Sequence, residues 1–220
     1  MRLSLEVVTP PPVEPLSLAD AKAHLRIEPA VTDDDALIGA LIRSAREACE
    51  SFTNRALVER GLALTLDAWP AKRDAPVDEG WREGTCSAGN GRWLSLPRPP
   101  LRSVTEVRLY DEADGVTVWP AARYFVDTAS EPGRLVARSG VSWPIAGRAA
   151  NGIEIRYLAG YAPDDSGSPT DYVGAIPAAL IDGIKRLVAQ LYEQRGDELS
   201  AAVTASGAAL LWNSYRVRRL

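Results

Sequence analysis

Two amphipathic helical stretches stand near opposite ends of this 220-residue chain, with a long run of strand-like segments between them. In the first, Leu37, Ile38, Leu41, Ile42, Ala45, Ala48, Cys49 and Phe52 recur at three- and four-residue steps, while Arg43, Arg46, Glu47 and Glu50 fall on the other side. In the second, Leu180, Ile181, Ile184, Leu187, Val188, Leu191 and Tyr192 form a similar stripe. Such a stripe must be buried against something, and the two stripes are expected to cover each other. That expectation fixes the architecture: an α+β chain whose helical body is built from both ends, residues 1–55 and 174–220, with 56–173 inserted as a small antiparallel β lobe.

Local signals place the element ends. Ser17 is expected to cap a short first helix ending near Ile27, with Asp20 in the position the capping box gives to Glu or Gln. Thr32 is expected to cap the long helix that follows, and Asn54 to stop it in a left-handed conformation. Pro177 suits the first turn of the late helix, and Gly196 is expected to end it. Between them, residues 62–67, 93–96, 104–110, 116–118, 124–127, 134–136 and 153–157 read as strands, with Asp114-Gly115 as a hairpin turn. Short strands at this spacing suggest a sandwich or barrel. The Gly-rich loop from Pro70 to Arg92 is long enough to be functional.

Composition excludes several classes. The chain is 46% hydrophobic and 25% charged, enough to bury a core, and its net charge of −4 argues against binding DNA through a general basic surface. No stretch reaches the roughly 20 apolar residues of a membrane span, and the opening residues lack the apolar core of a secretory signal, so a cytosol-like compartment is expected. Cys49 and Cys86 offer no framework and read as free thiols. Only Lys22, Lys72 and Lys185 among the 25 basic residues are lysine. That bias fits a GC-rich coding sequence and is equally compatible with Arg-rich interfaces.

Catalytic and metal-binding patterns are absent. The single histidine, His24, sits mid-helix, where a packed or half-exposed imidazole is expected rather than a catalyst. The run Asp33-Asp34-Asp35 lacks calcium-loop spacing and reads as a helix start favoured by the helix dipole. No phosphate loop, HExxH, paired CxxC or GxSxG occurs, and neither a cofactor nor a metal is expected. Of the six tryptophans, Trp69, Trp81, Trp93 and the pair Trp119 and Trp143 read as lobe core or lobe surface. Trp212 has two readings. Either a short last helix folds back on the body, or Leu210, Leu211, Trp212 and Tyr215, with the basic Arg216, Arg218 and Arg219, form an anchor arm for a partner.

The segments Pro15–Ile27 and Asp33–Ile38 resemble the start of tailed-phage head-tail connector (adaptor) proteins, including the adaptor of phage-like gene transfer agents. So do Leu96–Val104, Tyr124–Asp127, Pro132–Leu135, Tyr157–Tyr161 and Ile176–Leu180, in the same order. The resemblance implies a structural protein and not an enzyme, located at the head-tail interface of a virion or phage-like particle and assembled in the host cytoplasm. It implies a homo-oligomer, a dodecameric ring under the portal protein. Stopper or tail-completion proteins would lie below, and double-stranded DNA would pass through the lumen without sequence-specific binding. In related adaptors a C-terminal portion grips the portal, which is the role this implies for Leu210, Leu211, Trp212, Tyr215, Arg216, Arg218 and Arg219. Deleting 206–220 is then expected to leave a folded protein that no longer joins portal-bearing heads. A mildly acidic protomer is expected to give a lumen that lets DNA slide. Two other readings remain: a small-molecule or carbohydrate-binding module using the Trp-rich lobe, and a carboxylate-only enzyme such as a glycoside hydrolase.

Overall fold

The computed structural model describes residues 3–69, 91–162, 172, 175–196 and 198–217. Trp81, Cys86, Arg218, Arg219 and all of the 70–92 loop but its last two residues lie outside them. The chain divides into two units, one of Met1–Pro10 with Glu59–Gly160, the other of Pro11–Val58 with Tyr161–Leu220.

The strands described in the first unit pair antiparallel throughout. Strands β1 (Leu3–Thr9), β2 (Arg60–Leu66), β3 (Trp93–Ser95), β4 (Leu101–Tyr110), β5 (Val116–Val118), β6 (Tyr124–Asp127), β7 (Arg134–Ala137) and β8 (Ile153–Ala159) form one five-stranded sheet, β1-β2-β8-β4-β5, and one three-stranded sheet, β3-β7-β6. Strand β8 shows why the larger sheet forms. Ile153, Ile155, Tyr157 and Ala159 are buried on one face, while Glu154 and Arg156 lie on the other, the two-residue period of a half-buried strand. On that second face the register sets Glu106 opposite Arg156 and Arg108 opposite Glu154. Arg108 pairs with Glu106 at 2.5 Å, Arg156 bonds Glu154, and the Tyr110 hydroxyl donates to Glu154 at 2.6 Å. Opposite charges directly across a ladder stabilise it. Burial would raise the Glu154 carboxyl, but the bonds from Tyr110 and Arg156 hold it below its ordinary value.

The hairpin at Asp114-Gly115 joins β4 to β5, with Tyr110 opposite Val116. Asp114 has φ 61°, and the Asp111 carboxylate accepts from the Gly115 N–H at 2.7 Å, an Asx-type bond that closes the turn. Strand β1 departs from the sequence reading, which put residues 1–55 in the helical body. Leu3–Thr9 pairs instead with β2. Its seven residues gain strand character only from a partner more than fifty positions away, and most of them are exposed.

The second unit is helical: α1 (Leu18–Leu25), α2 (Asp35–Thr53), α3 (Ala178–Glu193), α4 (Leu199–Ala205) and α5 (Ala208–Trp212). The two amphipathic stripes meet in one core, where Ile38, Ile42, Ala45 and Cys49 of α2 join Leu180, Ile184, Leu187 and Val188 of α3, with Leu16 and Ala21 beside them. Ser17 caps α1, its hydroxyl accepting from the Asp20 N–H at 3.0 Å and donating to the Asp20 carboxylate at 2.7 Å. Asn54 takes the left-handed conformation expected of a stop, φ 56°. Two boundary expectations fail. Thr32 does not cap α2, which begins at Asp35 after Asp34, and α3 ends at Glu193 before Gly196 is reached.

The link between α1 and α2 is held from below. Buried Lys22 donates from Nζ to the carbonyls of Pro29 at 3.0 Å and Val31 at 2.5 Å and to the Asp35 carboxylate at 2.8 Å. A buried ammonium must be paired and hydrogen-bonded, and three acceptors satisfy its three donors. Arg46, also buried, binds Glu14 at 2.7 Å, Glu50 at 2.9 Å and Glu47 at 3.2 Å, and Glu50 in turn accepts from the Leu57 N–H at 2.9 Å. This network ties α2 to the segment preceding α1 and to the segment following α2.

Candidate functional surfaces

Two of the three acids in the run hold the fold: Asp35 accepts Lys22, and Asp34 accepts from the Tyr192 hydroxyl at 2.5 Å, while Asp33 is exposed. Among the described residues no group of three or more His, Cys, Asp or Glu side chains is placed to hold a metal ion. His24 is exposed on α1. Cys49 is fully buried, and that burial pushes its thiol far above the ordinary range, which suppresses the reactive thiolate.

Four aromatic residues of the β unit, Trp69, Trp119, Tyr124 and Trp143, form one cluster. Trp69 stacks on Trp143 at 4.3 Å between ring centroids, and Trp119 lies 5.3 Å from both Trp143 and Tyr124. The indole N–H of Trp69 donates to the Pro144 carbonyl, and that of Trp143 to the Gly91 carbonyl, each at 2.7 Å. Trp93 lies apart, on the three-stranded sheet, with the Arg134 guanidinium 5.3 Å above its ring.

The C-terminal arm resolves in favour of a helix folded back on the body. Trp212 is completely buried, its ring 5.9 Å from Phe52 and its Nε1–H donating to the Leu180 carbonyl at 3.2 Å. It fits because α3 carries glycine at 183: a Cβ there would lie 2.1 Å from Trp212 Nε1. Beyond α5 the Arg55 side chain donates to the Tyr215 carbonyl at 2.6 Å, and the Val217 N–H to the Thr53 carbonyl at 2.9 Å. Trp212 is therefore no free anchor, and deleting 206–220 would strip Ala208 and Trp212 out of the core instead of leaving the body intact. Leu211, Tyr215 and Arg216 are half-buried, while Leu210 is 84% exposed on the outer side of α5. Sequence pattern left both readings of these residues open, because in a five-residue helix no periodicity separates the inward Trp from the outward Leu.

Other large apolar side chains also face outward: Val31 beside α2, Val116 and Val118 on β5, Phe125 on β6, Ile145 and Leu199. These outward apolar groups, with no candidate metal cluster among the described residues, make the surfaces the candidate site.

Residues 15–78 match the family described as phage gp6-like head-tail connector protein. None of the curated proteins matches this chain. Among solved structures it is similar to a chain in the neck of an empty gene transfer agent particle computed with C6 symmetry, with a TM-score of 0.72 and 27% identity over 99% of this chain and 97% of that one. A chain in the virion of a native gene transfer agent particle gives a TM-score of 0.71 and 27% identity, covering 98% and 96%. One in the neck of a native particle computed with C12 symmetry gives 0.65 and 28%, covering 99% and 97%.

Proposed function

We propose, from the premise that this chain is a structural head-tail connector subunit of the gp6-like kind, that twelve copies close a ring beneath the portal of a gene-transfer-agent or phage-like particle. The observation that carries this reading is likeness over nearly the whole length of both chains to subunits of a particle neck, joined to a family match that begins at the α1 cap. A ring subunit needs two different faces that meet on neighbouring copies, and the outward apolar groups on both units can supply them. Through the ring the head would be joined to stopper or tail-completion proteins, and double-stranded DNA would leave along the axis without sequence-specific contacts. A net charge of −4 per copy supports a channel wall that does not hold the duplex.

Portal contact falls to the C-terminal surface around Leu210, with Leu211, Tyr215 and Arg216 at its side and Arg218 and Arg219 following. Leu210→Asp tests it: the variant should fold as the parent does, since the side chain is 84% exposed, yet fail to join portal-bearing heads. Normal joining would remove the C-terminal surface from the contact. Electron microscopy of particles with the subunit labelled tests the location itself, and a label on the capsid shell or tail tube would overturn the connector role. The binding-module alternative is weakened at Trp69 and Trp143, whose indoles stack on each other and donate within the fold.

A further inference from the structure

We infer that the outer face of the three-stranded sheet docks on the α1–α2 loop of a neighbouring copy, an inference that rests on the ring reading above. The register places Trp93, Val136 and Phe125 in one row across β3, β7 and β6. Phe125 is 53% exposed, an aromatic group that strand geometry holds away from the buried Leu94, Leu135 and Tyr124 on the opposite face. To one side of this row, along β6 and β7, Arg138 donates its N–H to the Arg123 carbonyl at 3.1 Å, continuing the register by one step. Two arginines thus stand opposite each other, both exposed, and among the described residues neither has an ion pair. Like charges in that position destabilise a ladder, whereas to the other side of the row Arg134 is neutralised by Asp127 at 2.5 Å. The surface is apolar and aromatic at its centre with uncompensated positive charge at one edge, the composition of a protein contact. Two charges are too little to hold a duplex, whose binding scales with the number of phosphates neutralised.

The complementary surface is on the same chain. In the loop between α1 and α2, Val31 is 48% exposed, flanked by exposed Glu28 and Asp33. Neither acid has an ion pair among the described residues. The loop is already fixed, because Lys22 grips the carbonyls of Pro29 and Val31, so little ordering would be lost on docking. A loop with Val31 between two acids on one copy, set against the exposed Phe125 and the arginine pair at its edge on the next, is a heterologous contact, the type that rotation repeats around an axis.

The test is incorporation of the full-length subunit into particles. Arg123→Glu with Arg138→Glu should reduce the copies retained per particle at least tenfold, as should Glu28→Arg with Asp33→Arg. All four substitutions together should restore retention to within about threefold of the parent. Phe125→Asp should also lose retention, with near-parent thermal unfolding. Loss in both pairs without restoration overturns the self-contact and assigns each face to some other component. Normal retention of the Arg variants overturns the docking surface itself. Absence of the parent subunit from particles would instead sink the connector reading, so the two failures are distinguishable.

Discussion

Gly183 is where one missing atom sets the packing of the helical unit. Glycine in a helix interior is unfavourable by about 1 kcal/mol relative to alanine, yet alanine here would drive its Cβ into the Trp212 indole. Overpacking outweighs propensity, and Gly183→Ala should lower stability by ~1–3 kcal/mol in urea unfolding. An increase would show that the indole can move aside. Asp127 gives the β unit a pH dependence. Its carboxyl accepts from the Ser130 hydroxyl and from Arg134, which pull its pKa down to about 2. A carboxylate held low contributes stability above its unfolded pKa of about 4 and loses it as pH falls towards the folded value. Asp127→Asn should therefore flatten the acid limb of the unfolding curve between about pH 4 and 2, and an unchanged limb would assign that limb to other groups. Cys49 should resist a thiol reagent in the folded protein and react once it is unfolded.

At the scale of elements, most of what local chemistry governs was readable. The stripes of α2 and α3, the Ser17 cap, the Asn54 stop and the inner strands all follow from periodicity and from residues with one favoured role. What escaped depends on partners distant in the chain. Leu3–Thr9 is a strand because β2 lies beside it, and Thr32 loses the cap because the chain enters α2 two residues later, where Asp34 is drawn to Tyr192. The Arg46 network belongs to the same class: the helical spacing put Arg46 and Glu50 on the polar side, but Glu14 and the Leu57 N–H enclose them. Removing one partner from a buried ion pair leaves the others uncompensated, so Arg46→Ala should cost about 3–5 kcal/mol, read as a lowered unfolding midpoint. A cost below about 1 kcal/mol would mean that water reaches the site.

For the whole molecule, the resemblance carried in scattered segments pointed to the particle neck, while the surfaces that would do the work there were only half legible. Sequence marks an apolar residue but not its direction, and Leu210 and Trp212, two positions apart, face opposite ways. Truncation before Ser206 should consequently yield aggregated or protease-sensitive material, in contrast to the soluble Leu210→Asp variant. A stable, monodisperse truncated protein would show that the body closes without Trp212. The threading of the chain has a consequence for synthesis. It passes between the two units at residues 10/11, 58/59 and 160/161, and α2 acquires its full cover only when α3 and α5 have left the ribosome. Until then a nascent chain displays a greasy helix that chaperones bind. A polypeptide released early keeps that mark, and cellular quality control can remove it before a defective copy is assembled with its partners.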